Sequence, residues 1–349
     1  MIEQLKIREM AEEKEESLSP HAARSRVSRG RLRQEEPDPI RTAFQRDRDR
    51  IIHCLAFRRL KHKTQVFIAP RGDHYVTRLT HTLEVAQIAR TIARALNLNE
   101  DLTEAIALGH DLGHTPFGHV GEQELNSLYQ DGFRHNEQSL RVVDYLEKRG
   151  QGLNLSWEVR DGILSHSKST SGVLENWGKV GTLEGEVTRI SDIVAYVNHD
   201  IDDAIRAEII TEDDLSPQVS AALGHNRSQR INTMVCDIIQ CSWPVRSAGV
   251  LPEPAISMSP LITSATEQLR QFLFDRVYNV QSAEKDTGRA RRIVRRLYRY
   301  FLNHADELPV EFGYRGDGVE RRVVDYIAGM TDQFATDLAR KLFHTRKTG

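Results

Sequence analysis

Apolar residues in this chain recur at helical spacing far more often than they alternate, and that habit excludes most folds before any chemistry is considered. The stretch "NLNEDLTEAIALGHDLGHTPFGH" shows it most plainly. Leu102, Ala105, Ile106 and Gly109 follow the i, i+3, i+4, i+7 rule, Asn99 stands where an N-cap belongs, and Gly113 and Pro116 end the pattern. "HTLEVAQIARTIARALNL" repeats the period with Leu83, Ile88, Ala89, Ile92 and Leu96, and "RDRIIHCLAFRRLKHKTQVF" places Ile51, Leu55, Phe57 and Leu60 on an apolar face. Further helices are expected from about Asn136 to Arg149, from Glu184 to about Ala207, and along "GRARRIVRRLYRYFLNHADELP". Strand signals are sparse: "TQVFIAP" and "HYVTRL" allow one small hairpin at most. The predicted class is all-α, with no internal repeat and no glycine-rich phosphate loop.

The 349 residues suffice for a sizeable core. A formal net charge of −2 gives no global attraction to nucleic acid or to a membrane surface. Three scattered cysteines, Cys54, Cys236 and Cys241, are too few for a disulfide framework or a cysteine-based zinc site and fit a reducing compartment. No apolar run reaches membrane-spanning length and no signal-peptide core opens the chain, so a cytoplasmic protein without membrane partners is expected. Residues 1–39, rich in Glu, Arg, Lys and Ser, read as a charged, flexible N-terminal arm.

Fourteen histidines are present, and six of them (His74, His81, His110, His114, His119, His135) fall within one short section of the chain. Clustered imidazoles punctuated by Gly and Asp point to a metal or proton-transfer site. His110 and Asp111 stand at the end of one expected helix and His81 at the start of another. In "RISDIVAYVNHDIDD", Val187, Ile190, Val194, Val197 and Ile201 form an apolar stripe, with Asp192, Tyr196, His199, Asp200 and Asp203 opposite. Periodicity alone favours reading that second stripe as a solvent-facing surface.

"TRLTHTLEV", "GHDLGHTPFGHVGE" and "EGEVTRISDIVAYVNHDIDD", in that order, resemble the HD superfamily, and more narrowly its deoxynucleoside triphosphate triphosphohydrolases, the dGTPase-like proteins. "AFRRLKHKTQVF" and "FRHNEQSLRVV" are similar to the same subfamily, so the resemblance is dense from about Pro39 to Ala204. It implies an HD-domain helical fold with additional C-terminal helices. Residues 40–210 would form the metal-dependent phosphohydrolase core, and residues 211–349 a helical region completing the site and the oligomer contacts.

The resemblance further implies that His81, His110, Asp111 and Asp192 are metal ligands. Two imidazoles and two carboxylates suit Mn, Mg, Fe, Ni, Co or Zn without choosing among them. His119 is implied as an acid/base or electrostatic group near the α-phosphate, with Glu122 orienting or activating it, His135 as a proton donor to the leaving 5′-oxygen, and His114 as a neighbour of the phosphates; which of His119 and His135 is the principal catalyst stays open. Gln65 and Val66 are implied to pack on the deoxyribose, Tyr196 to lie along it, Asp200 to accept from its 3′-hydroxyl, and Arg59 and Arg78 to meet phosphates.

The function so implied is hydrolysis of a dNTP to deoxynucleoside and inorganic tripolyphosphate. The partners implied are a dNTP substrate, a dNTP allosteric activator and further copies of the chain. Two rival readings stand beside it: an HD phosphohydrolase of nucleoside monophosphates or cyclic nucleotides, and a non-catalytic nucleotide or nucleic-acid regulator. Arg289, Arg291, Arg292, Arg295, Arg296 and Arg299 share one expected helix and read as a solvated face, a nucleotide contact or a single-stranded nucleic-acid surface.

Overall fold

The computed structural model describes residues 5–66, 75–167, 180–249, 254–278, 285–313 and 315–344. Two compact units are built from interleaved stretches of chain: 1–52, 81–110 and 154–277 form the first, and 53–80, 111–153 and 278–349 the second. Both are helical, and no strand occurs among the described residues. The expected hairpin is represented there by one bridge, Thr64 to Thr77, and the part of it between residues 67 and 74, including His74, lies outside the described residues. Most of the expected loop at 168–185 lies outside them too. No helix searched is long and apolar enough to cross a membrane.

In the first unit, α9 (Leu183–Arg206) packs against α5 (Glu100–Gly109), α8 (Trp157–Ser165), α11 (Arg227–Ser242) and α12 (Pro260–Leu273). Its stripe Val187, Ile190, Val194, Val197 and Ile201 is buried throughout. The helix α5 starts where the sequence placed it: the Asn99 side chain accepts from the Leu102 N–H at 3.1 Å. It packs on α2 (Ala43–Ile52) and closely on α8, where a Cβ on Gly162 would come within 2.6 Å of Ile106. In α4 (Arg78–Ala95), which belongs to this unit from His81 onward, the buried face is Val85, Ile88, Ala89 and Ile92, with Leu96 buried just past its end. Leu83, expected on it, is 51% exposed, because it lies roughly 140° around the helix from Ile88. Leu55 is likewise exposed rather than on the apolar face. The short α10 (Pro217–Leu223) packs on α11 and α12.

The charged N-terminal stretch differs most from its reading as an exposed arm. The helix α1 (Ile7–Glu15) ends on a buried Glu15 that accepts from the Ser25 N–H at 2.6 Å and from Asn99 Nδ2 at 3.1 Å. Glu184 Oε1 accepts from the N–H groups of Ala23 and Asn99, each at 3.0 Å. Arg31 pairs with the fully buried Asp47, and Glu158 takes Ser28 Oγ and the Arg29 N–H. Composition suggested solvation because the carboxylates that capture this stretch mostly lie far along the chain.

The second unit holds α3 (Leu55–Arg59), α6 (Gly118–Leu128), α7 (His135–Arg141), α13 (Lys285–Asn303), α14 (Val319–Ala328) and α15 (Asp332–His344). Ala290, Val294, Leu297 and Phe301 of α13 enter one apolar cluster with Leu125 and Tyr129, with Val323, Val324 and Ile327, and with Ala335 and Ala339. The basic face of α13 is partly structural: Arg295 pairs with Glu124 at 2.7 Å, Arg291 reaches Gln123 at 3.2 Å, and Arg296 lies over the Phe343 ring. The helix expected to run to Arg149 instead passes at Val142 into one wide π turn, and Lys148 and Arg149 are left-handed. Glu147 is held there because its carboxylate accepts the N–H groups of Leu55 and Ala56, at 3.2 and 2.7 Å.

Candidate active site

Three helical segments of the first unit bring His81, His110 and Asp192 together. His81 stands in the first turn of α4, His110 directly follows α5, and Asp192 lies in α9. One ligand atom from each falls within 4.8 Å of the others, and His81 Nε2 is 3.1 Å from Asp192 Oδ1. The His110 ring is fixed by a 2.6 Å hydrogen bond from Nδ1 to the Ala107 carbonyl, which leaves Nε2 as its donor atom. Two imidazole nitrogens and a carboxylate oxygen at this spacing form a group that can hold a divalent metal ion. His166, not singled out from sequence, stacks edge-on against His110 with centroids 4.9 Å apart. Its own Nδ1 is bonded to the Ile163 carbonyl at 2.7 Å.

The polar stripe of α9 is packed inward. His199, Asp200 and Asp203 are buried and Tyr196 is half-buried, so the solvent-surface alternative is excluded. His81 Nδ1 lies 2.8 Å from His199 Nε2, and His199 Nδ1 lies 2.8 Å from Asp200 Oδ1. Burial opposes charge on His199, yet Asp200 beside it, with Glu84 and Asp203, holds its pKa above the ordinary value. Burial likewise raises the Tyr196 phenol, Arg270 opposing it and Asp192 and Asp200 adding to it.

Asp111, next in the chain after His110, belongs to the second unit, where Arg78 pairs with its Oδ2. Arg78 is buried and its Nε also donates to the Thr64 carbonyl at 3.1 Å, so its guanidinium is held by the protein rather than open to solvent. Asp111 Oδ1 is 3.9 Å from His135 Nε2. His135 is in turn held by Glu122, which accepts from both its N–H and its Nδ1 at 2.8 Å. The His114 ring stacks on His135 at 4.5 Å between centroids. His119 lies edge-on to His114, with ring centroids 5.3 Å apart, yet its side chain is 64% exposed and its Nδ1 is 3.4 Å from Glu122 Oε2.

These contacts divide the imidazoles electrostatically. Burial, with Arg78 and His135 nearby, pushes His114 well below the usual histidine range, so it is neutral. Burial also opposes charge on His135, but Glu122 and Asp111 outweigh it and raise its pKa. Glu122 stays well below the carboxylate range despite burial, because His135, His119 and His114 surround it. The outcome is a histidine whose protonated form Glu122 favours, beside one that burial keeps neutral.

The bend from Asp111 to His119 is shaped by groups the sequence did not single out. Lys63, fully buried, donates from Nζ to the carbonyls of His114 and Ala328, and burial, with Arg59 and Arg78 adding to it, lowers its pKa to about 7. Asp332 accepts from the N–H groups of Phe117 at 2.9 Å and Thr64 at 3.1 Å. Gly113 passes so close to α7 that a Cβ would lie 2.1 Å from the Ser139 nitrogen. Of the expected sugar and phosphate contacts, Gln65 is buried, Val66 half-buried and Arg59 exposed. A lysine two residues before "QVF" and an aspartate in a C-terminal helix carry no local signal of these roles.

The HD domain profile matches residues 78–214, and a phosphohydrolase-associated domain profile matches residues 256–341. A deoxyguanosinetriphosphate triphosphohydrolase-like protein of Caldanaerobacter subterraneus subsp. tengcongensis is 58% identical over 342 residues, spanning 97% of this chain and 96% of the relative. Proteins of the same description from Clostridium perfringens and Desulfatibacillum aliphaticivorans are 51% and 48% identical, each over 97% of this chain and 98% of the relative. The chain is an HD-type phosphohydrolase and belongs to the deoxyguanosinetriphosphate triphosphohydrolase-like family.

Proposed function

We propose that this protein is a metal-dependent dNTP triphosphohydrolase, cleaving between the 5′-oxygen and the α-phosphorus to release deoxynucleoside and inorganic tripolyphosphate. The observation that carries this reading is the convergence of His81, His110 and Asp192 donor atoms within 4.8 Å, in a chain whose relatives are described as dGTP triphosphohydrolase-like. Asp111, adjacent to His110 in sequence, completes the proposed ligand set. A divalent ion bound there supplies Lewis-acid polarisation of the α-phosphate and lowers the pKa of water.

The protein's own groups supply the rest. His135, anchored by Glu122, which favours its protonated form, donates its proton to the leaving 5′-oxygen while a water oxygen joins the α-phosphorus. The neutral His114 packs on that imidazolium, and the exposed His119 is left to contact the phosphates. Gln65, Val66, Tyr196 and Asp200 select the deoxyribose, and Arg59 and Arg78 add positive charge for the triphosphate.

Incubating each dNTP, singly and mixed, with several divalent metals and resolving the products tests the reading. Tripolyphosphate with deoxynucleoside is expected, and His110→Ala is expected to lose both metal and hydrolysis. Orthophosphate released from a dNMP, or dNTP binding without turnover under every condition, overturns it.

A further inference from the structure

His81 faces two partners through its two nitrogens. Nε2 points to Asp192 Oδ1 at 3.1 Å, and Nδ1 points to His199 Nε2 at 2.8 Å. A neutral imidazole that offers its Nε2 lone pair to a metal must carry its proton on Nδ1, and that N–H needs an acceptor. His110 meets the same need with the Ala107 carbonyl, which can only accept. An imidazole in that position is different, since it accepts or donates according to its own tautomer. Something must therefore decide the tautomer of His199.

Asp200 does so. Its Oδ1 lies 2.8 Å from His199 Nδ1, and both side chains are buried. A carboxylate facing Nδ1 favours the proton there, which leaves His199 Nε2 as an acceptor. With a metal on His81 Nε2, one arrangement of the three side chains is self-consistent: the Asp200 carboxylate, in charge contact at 2.8 Å, draws the proton to His199 Nδ1, and His199 Nε2 accepts from His81 Nδ1–H. His81 Nε2 is left as the donor atom. All three residues sit where helix geometry fixes them, His199 two turns beyond Asp192 on α9 and His81 at the start of α4.

We propose that His199 is a positioning residue that locks the ring orientation and Nδ1–H tautomer of His81 for metal binding, with Asp200 holding His199 in turn. The proposal rests on the metal-centre reading above but not on the identity of the substrate.

Cobalt(II) titration of the full-length protein, followed by visible absorption, tests it. His199→Ala is expected to weaken Co²⁺ binding by about 10- to 100-fold, the usual effect of losing such an outer partner, while the helical circular dichroism is retained. His199→Gln is expected to recover most of the affinity, because its carboxamide oxygen accepts from His81 and its amide N–H₂ faces Asp200. In ¹⁵N spectra of the Zn²⁺-loaded wild-type protein, recorded at a pH where His199 carries a single ring proton, that proton is expected on Nδ1. That spectrum and the glutamine variant decide the matter even if the alanine variant does not fold.

Wild-type affinity in His199→Ala, no recovery in His199→Gln, or a His199 that carries its proton on Nε2 overturns the proposal. A chain that binds cobalt with this dependence yet hydrolyses no dNTP overturns the proposed function and leaves the role of His199 standing.

Discussion

Glu122 grips His135 twice, its Oε1 accepting from both the backbone N–H and the ring Nδ1 at 2.8 Å. The contact sets where the ring sits and also how tightly it keeps its proton. Because the pKa of His135 is raised in the folded protein, the pair stabilises the fold fully below the ordinary histidine pKa. That stabilisation fades as pH rises through the raised value.

Replacing Glu122 with Gln keeps the shape and removes the charge. The alkaline limb of the kcat profile is expected to move to lower pH, because an acid catalyst acts only while protonated. Near pH 8 the loss is expected to be about 100-fold, the lower end of what general acid catalysis contributes. A pH–rate profile checks this. An alkaline limb that stays in place separates His135 from proton transfer.

Gly113→Ala is expected to disable the site through the backbone. The added methyl would meet the Ser139 nitrogen at 2.1 Å and the His135 carbonyl oxygen at 2.6 Å, neither of which can swing aside like a side chain. The helix α7 must shift and carry His135 with it. A stability loss of about 3 kcal/mol or more in denaturant unfolding, at the upper end for overpacking, is the expected outcome. Wild-type stability and activity together would show that α7 relocates at no cost.

Asp325 anchors the same helix from the other side. It is 2% exposed, and it accepts from Arg141 Nε at 2.9 Å, from Gln138 Nε2 at 2.9 Å and from Arg321 Nη2 at 2.7 Å. Asp325→Asn leaves two guanidinium groups facing a neutral partner. A loss of about 3–5 kcal/mol is expected, as when one member of a buried ion pair is removed. Calorimetric melting of the two proteins gives the comparison, and a loss below about 1 kcal/mol would mean that water replaces the carboxylate.

Glu184 predicts a stability change with pH. Burial raises its pKa to about 7, against the three backbone N–H groups it faces, with Glu15 nearby adding to the rise. A carboxyl group that is a weaker acid when folded destabilises the fold as it ionises. Stability contributed by this group is therefore highest below the ordinary glutamate pKa and is lost as pH rises through about 7. Glu184→Gln is expected to flatten the melting temperature between pH 5 and pH 8 relative to wild type. A slope equal to that of wild type would assign the effect to another group.

How much of this was legible beforehand depends on how far each signal reaches along the chain. The helix from Glu100 could be read in full because its cap, its period and its apolar face lie within eleven residues. The ligand candidates His81, His110 and Asp192 were readable from motifs that carry their own context. The inward packing of His199 and Asp200 was not, because a polar stripe has the same period whether it meets water or a buried imidazole. Leu83 shows the converse, an apolar residue counted into a stripe that the helix turns away from the core. Arg31 and Asp47, like Glu15 and Asn99, are long-range pairs whose meaning appears only once both partners are in place. An N-terminal stretch judged by composition alone therefore looked solvated.

The bend that carries the histidines keeps little of its shape within itself. Lys63 and Asp332 tether it from outside, the Gly113 N–H donates to Ser139 Oγ at 2.8 Å, and Phe117 adopts a left-handed backbone with φ 63°. A synthetic dodecapeptide spanning residues 108–119 would contain three imidazoles and an aspartate yet collapse into other shapes, and it would bind metal as any histidine-rich tag does. The motif is thus not portable. Grafting it onto another scaffold would require carrying along a lysine, an aspartate and a serine that no alignment of the twelve residues would include.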